Sequence, residues 1–186
     1  RLGLRRLLEH YEKSGLVPRE DILKAVYYNK ARQTKSPISE IYPSYTDEYF
    51  IYEQDVEKEK TLLKEAGLES GFKTQLGYRT GDQIEEEIAV ILKTAFARAN
   101  VDVELIKLPA STLVERYSTG TIPMYFYRDM AIVPDAAYVA NLWLNSASLI
   151  NYPKFKNDEV DQLINSALSS TDETKRDASM KRVQQI

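Results

Sequence analysis

Between residues 72 and 127 the apolar residues change their period more than once, and few folds satisfy that pattern. Phe72, Thr74, Leu76 and Tyr78 alternate with Lys73, Gln75, Gly77 and Arg79, the period of two expected of a strand. Ile84, Ile88, Ile91, Leu92, Ala95, Phe96 and Ala99 then recur at helical spacing between Asp82 and Asn100. Val101, Val103 and Leu105 return to a strand pattern. Thr112-Leu-Val-Glu115 reads as a capping box opening a short helix that ends near Gly120. Ile122–Tyr127 is a continuous apolar run, expected of a strand buried on both faces, with Pro123 tolerable only near its start. Strand, helix, strand, helix, strand predicts parallel βαβ units with right-handed crossovers. The expected class is therefore α/β, with a central, mostly parallel sheet flanked by helices.

The flanks are less regular. Asp55–Phe72 reads as a charged helix ending at Ala66-Gly67, followed at once by a strand. Before it, residues 1–29 suggest two helices, one over Leu4–Lys13 and one entered at Pro18 with Glu20 and Asp21 near its positive end. Lys30–Gln54 carries Pro37, Pro43 and many tyrosines without a period; a loop of that length is expected to be functional or to pack against something. After the sheet pattern, helices are expected over Pro134–Leu144, over Asp158–Leu168 with Asn157 as its N-cap, and over Asp172–Ile186. We expect residues 1–54 to form the N-terminal helices and long irregular segment of one lobe, and residues 55–186 its α/β core. The first residue is Arg, with no signal-peptide pattern after it, and no stop signal follows the last helix. Both ends look cut, so the chain is expected to be a single truncated domain of something larger.

Composition narrows the chemistry. A chain of 186 residues, 43% hydrophobic and 28% charged, has an ordinary globular composition. A net charge of −3, with Lys and Arg spread along the chain, argues against a nucleic-acid surface. No apolar run approaches the ~20 residues of a membrane span. With no cysteine, there are no disulfides, thiol nucleophiles or thiolate metal sites. The one histidine, His10, lies on the first expected helix and reads as a surface residue.

Three stretches invite a functional reading. Glu85-Glu86-Glu87 suggests an acid or metal cluster, but consecutive helical residues point about 100 degrees apart and do not converge. A solvated first turn, favoured by the helix dipole, is the expectation. Gly77-Tyr-Arg-Thr-Gly81 lacks the spacing of a phosphate loop and reads as a tight strand-to-helix turn. Because open α/β sheets bind ligands at the C-terminal ends of their strands, Tyr78, Arg79 and Thr80 remain candidates for a site rim. In Tyr125-Phe-Tyr-Arg-Asp-Met130 a buried strand runs out into adjacent opposite charges. A surface ion pair and an aromatic-walled ligand crevice with two orienting charges fit that spacing equally well. Catalytic inventory is poor, and the chain reads as a binder, not an enzyme, with no metal or cofactor. The competing class is a carboxylate-dependent α/β hydrolase or transferase using Asp129 and Asp135. A regulatory domain that borrowed the lobe as a sensor is a third possibility.

Several segments, in order, resemble the substrate-binding proteins of bacterial ABC importers for peptides, nickel and related solutes, known as solute-binding family 5. They are Arg19-Glu-Asp-Ile-Leu-Lys-Ala-Val26 with Ser36-Pro-Ile38; Tyr52–Gly67, with its aspartate, leucine-leucine and alanine-glycine; Val133-Pro-Asp-Ala-Ala-Tyr138; Asn151–Ile164; and Asp172–Ile186 with Arg176. The resemblance implies most of the C-terminal lobe of a two-lobed, type II periplasmic-binding-protein fold that closes on its ligand. It implies a peptide or related small solute, delivery to ABC permease subunits, and no chemistry on the ligand. It also implies a monomer outside the cytoplasmic membrane, either periplasmic or held there as a lipoprotein. For the site, it points to Tyr127, Arg128, Asp129 and Met130, beside the rim candidates Tyr78 and Arg79 that the strand-end rule supplies. Peptide binders of the family commonly carry a tryptophan at this strand end and, three residues on, an aspartate that holds the peptide amine. Here those positions correspond to Tyr127 and Met130, Asp129 is displaced by one, and Val133 replaces an aspartate before Pro134. The departures weaken the case for a free amine. Arg128 beside Asp129 suits an anionic or zwitterionic ligand, and Tyr127 offers stacking to a sugar, a base or a side chain.

Overall fold

Tyr78 and Leu76 on one strand and Val101 and Val103 on the next form the centre of a buried cluster, around which the first part of the molecule is organised. The computed structural model describes residues 16–50, 54–128 and 133–186. The helix expected over Leu4–Lys13 lies outside those residues, as do His10, Asp129 and Met130. The chain divides into two compact units, Arg1–Gln33 with Ile51–Tyr127, and Thr34–Phe50 with Arg128–Ile186.

The first unit holds α1 (Arg19–Ala25), α2 (Val56–Glu65), β1 (Phe72–Arg79), α3 (Gln83–Ala97), β2 (Val101–Leu108), α4 (Ala110–Ser118) and β3 (Met124–Tyr125). Its sheet has the order β2-β1-β3. Both pairings are parallel, in register from Phe72 opposite Val101 to Arg79 opposite Leu108, with Leu76 opposite Met124 and Gly77 opposite Tyr125. Leu63 of α2 and Ala89 and Phe96 of α3 close the core against it. Helix starts follow local chemistry: the Asp55 carboxylate accepts from Lys58 N at 2.9 Å and that of Asp82 from Glu85 N at 3.0 Å.

Two sequence expectations need correction here. The helix α4 begins at Ala110 behind Pro109, with no side-chain cap, so Thr112 lies inside it and the capping box does not form. Proline's restricted φ, here −55°, sets the helix entry, and Leu113 N already donates to the Pro109 carbonyl at 3.0 Å. The strand expected over Ile122–Tyr127 is only two residues long and half-buried. Pro123 has no N–H to donate to a ladder, so pairing starts after it; Ile122 is buried all the same, at 3% exposure. Beside it, Gly77 supplies a gap in β1. A Cβ there would lie 2.4 Å from Ile122 Cδ1 and 2.7 Å from Leu113 Cδ1, so the missing side chain lets α4 and the approach to β3 pack onto the strand.

The second unit joins α5 (Ala136–Trp143), α6 (Asp158–Ser169) and α7 (Glu173–Gln185) to the irregular segment 34–50. That segment packs, as its length led us to expect: Ile38 and Tyr42 share a core with Ala137, Ala140, Val160, Ile164, Ala167, Met180 and Val183. Gln184 pins it. Its amide oxygen accepts from Ser36 Oγ and from Thr46 N at 3.0 Å, and its amide nitrogen donates to the Ser44 carbonyl at 2.6 Å. Asn157 caps α6 as expected, accepting from Glu159 N and Val160 N.

Candidate functional site

Parallel pairing brings the C-terminal ends of β1, β2 and β3 to one edge of the sheet, and the candidate residues of the first unit lie there. Tyr78 is buried at 7% exposure, with Lys107 Nζ of β2 5.8 Å from its ring centroid. The turn that follows is tight, as expected. Thr80 N donates to the Leu108 carbonyl at 2.8 Å, and Asp82 N to the Arg79 carbonyl at 3.2 Å.

Arg79 is gripped from the start of α3. Its Nε donates to Glu85 Oε1 at 2.9 Å, a terminal guanidinium nitrogen donates to the same oxygen, and its backbone N donates to Glu85 Oε2 at 2.8 Å. Asp82 Oδ2 lies 3.7 Å from the guanidinium. The hydrogen bond to Glu85 raises the Arg79 pKa above its ordinary value, against a smaller opposing effect of burial. Glu85 therefore corrects the expectation of a solvated acidic turn: its side chain is 1% exposed. Its neighbours remain at the surface, Glu86 accepting from Lys107 Nζ at 2.8 Å and Glu87 from Gln83 at 2.8 Å. The retrievable signal was Arg79-x-x-Asp82-x-x-Glu85, an arginine at a strand end facing two carboxylates one helical turn apart.

At the end of β3 the chain builds an aromatic cluster that the sequence did not announce. Tyr117 of α4, buried at 7% exposure, stacks on Tyr125 with ring centroids 4.6 Å apart and planes 24° apart. It also meets Tyr127 edge-on at 5.9 Å and 69°. Tyr127 is 41% exposed. Arg128, which opens the second unit, is exposed as well. The structure thus brings Tyr78, Arg79 and Tyr127 to one sheet edge; Asp129 and Met130 lie outside the described residues.

Asp135, the second carboxylate of the hydrolase alternative, is committed elsewhere. Its Oδ1 accepts from Tyr138 N at 2.8 Å as the N-cap of α5, and its other oxygen pairs with Arg176. Arg176 also donates to the carbonyls of Ala167, at 2.6 Å, and Ser170, at 3.2 Å. Among the described residues no group of three or more His, Cys, Asp or Glu side chains is placed to hold a metal, and no helix is long and apolar enough to cross a membrane. An open cavity of about 380 Å³, lined in part by Lys60, Lys64, Ala99 and Asn100, lies near the N-terminal end of β2. Its lysines face Glu57 at 2.8 Å and Glu69 at 3.4 Å, and it takes no part in the site.

A family model described as bacterial extracellular solute-binding proteins, family 5 Middle, matches residues 14–150. Among curated proteins, the dipeptide-binding protein of Escherichia coli is 29% identical over 179 residues, covering 91% of this chain and 33% of that protein. Heme-binding protein A of Haemophilus influenzae is 27% identical over 176 residues, covering 91% and 32%. Among solved structures, the ABC transporter-associated periplasmic binding protein DppA from Helicobacter pylori, in complex with the peptide STSA, matches with a TM-score of 0.86. Its identity is 24%, over 98% of this chain and 35% of that one, and the likeness is one of fold: an α/β lobe with a parallel sheet, as expected. The chain spans about a third of the length of the curated relatives it matches.

Proposed function

The chain belongs to the bacterial extracellular solute-binding proteins of family 5, and from that premise we propose that it is the part of an ABC importer's binding protein that forms one wall of the solute site. The solute is a peptide or related small molecule, captured between two lobes and handed unchanged to the permease subunits. The protein works outside the cytoplasmic membrane, periplasmic or anchored by a lipid, as a monomer, and needs neither cofactor nor nucleic acid. Its membrane contact is through the permease or such an anchor.

The observation that carries this reading is the end of β3, where an exposed Tyr127 supported by Tyr117 stands at the C-terminal edge of a parallel sheet. Open α/β sheets place ligands at that edge. In the proposal Tyr127, Arg128, Asp129 and Met130 face the solute, and Tyr78 and Arg79 shape the rim. Arg79 does so as one half of an internal ion pair. Closure on the solute then shifts the population toward the permease-competent form. The hydrolase or transferase alternative requires Asp135 as an acid or base, and its N-cap and Arg176 bonds leave that role unsupported.

The test is thermal unfolding of the natural full-length protein with di- and tripeptides, hemin and a nickel–histidine complex, each in turn. A rise in Tm with one class, abolished by Tyr127→Ala, is expected. No rise with any of them would sink the proposal.

A further inference from the structure

We infer that the Tyr117–Tyr125–Tyr127 cluster selects a ligand carrying an aromatic ring, with Tyr127 touching that ring and Tyr117 setting the orientation of Tyr127. The inference rests on the reading of the β3 end as solute-facing. Two observations lead to it. The first concerns charge. At this sheet edge Arg79 is bonded to Glu85 through side chain and backbone, with Asp82 nearby, and Lys107 donates to both oxygens of Glu86. Both cations are thus already charge-compensated by carboxylates of this unit, which lessens the pull either exerts on an anionic ligand. The other feature of this edge is its aromatic surface.

The second observation is that the aromatic surface is built. Tyr117 sits on α4, which the absence of a Cβ at Gly77 allows to press onto β1 through Leu113. Held there, it stacks on Tyr125 and meets Tyr127 at 69°, close to the edge-to-face geometry that aromatic quadrupoles favour. A tyrosine whose orientation is fixed by a buried neighbour loses little freedom when a ligand arrives. With 41% of its surface exposed, Tyr127 offers a ligand ring a further place in the same cluster. An aliphatic side chain of equal size would bury as much area there without the ring–ring attraction.

The test is isothermal titration of the natural full-length protein with alanine tripeptides bearing phenylalanine at each position in turn. Matched peptides carry cyclohexylalanine, which has the same shape without the π system. Indole-3-acetate, a ring with no peptide bond, is titrated alongside. In at least one position the phenylalanine peptide is expected to bind about two- to twelvefold tighter than its partner. Tyr127→Leu should erase that ratio and Tyr127→Phe should keep it. Tyr117→Leu should reduce it although Tyr127 is intact. Tripeptides bound without a ring preference, or with one that survives Tyr127→Leu, would overturn the inference and leave peptide binding standing. Indole-3-acetate bound through Tyr127, with no tripeptide bound, would uphold the ring inference and overturn the peptide reading. Binding of neither overturns both.

Discussion

Arg79 and Glu85 meet at two points: the carboxylate of Glu85 takes the arginine side chain on one oxygen and the arginine's own backbone N–H on the other, at 2.8 Å. This ties the last residue of β1 to the first turn of α3. A carboxylate in that place also gains from the helix dipole. The pair fixes where the strand stops and where the helix starts, and so sets the rim of the candidate site.

Replacing Glu85 by Gln leaves a buried amide where two charge-assisted bonds met. The expected loss of unfolding free energy is about 2–4 kcal/mol, most of it the penalty of stranding the partner. Urea unfolding of the chain measures it. A loss below about 0.5 kcal/mol would mean that the pair behaves like an exposed one.

Gly71 and Gly67 both adopt positive φ, +81° and +75°, but only one is crowded. A Cβ on Gly71 would lie 1.9 Å from the Asn100 carbonyl oxygen, whereas Gly67 faces open space. Gly67→Ala should cost about 1–2 kcal/mol from backbone strain alone, and Gly71→Ala clearly more, because backbone must move. Thermal melts of the two variants compared side by side decide this; equal effects would contradict it.

Arg176 bridges three elements of the second unit through Asp135, Ala167 and Ser170. Arg176→Met keeps the aliphatic stem and removes the bonds, with an expected cost of about 2–4 kcal/mol. Arg182, paired with Glu159 at 2.8 Å on an exposed surface, is the control. Its replacement by Ala should leave the melt unchanged.

Lys107 is held protonated above the ordinary lysine range, chiefly by its hydrogen bond to Glu86. A raised folded-state pKa contributes stability that is fully present below the unfolded pKa and is lost as pH rises through the folded value. The loss therefore falls at strongly alkaline pH, with none near neutrality. Lys107→Met should flatten the alkaline limb of a Tm-versus-pH profile slightly; a change appearing at pH 6–8 would contradict the assignment.

Residues 1–186 alone present one wall of the proposed site. Because affinity in a clamp comes from enclosure, this chain by itself should bind the peptide panel with a Kd no tighter than about 1 mM. Calorimetry that finds micromolar binding would show the site to be complete without a second lobe.

Much of the architecture could be read from short stretches. Alternation over Phe72–Arg79 and Val101–Leu105, the helical period from Ile84 and the Asn157 cap each depend on a few consecutive residues, and each is found, although β2 runs on to Leu108 and α3 stops at Ala97, short of Asn100. Length was misjudged where one residue overruled its neighbours: Pro123 shortened β3, and Pro109 displaced the cap expected at Thr112.

The sequence by itself determined the alternation, the Asn157 cap, the poverty of catalytic groups and, through the order of its motifs, the family. Local propensity and patterning act over one or two turns or a single strand, and residues adjacent in sequence record them. Tertiary structure alone decided that Glu85 turns inward while Glu86 and Glu87 stay out, and that Tyr117 reaches Tyr125 and Tyr127. Those outcomes depend on which surfaces meet when the chain reverses between α4 and β3 and between β1 and α3. Burial and stacking are properties of that meeting, and no run of neighbouring residues encodes them alone.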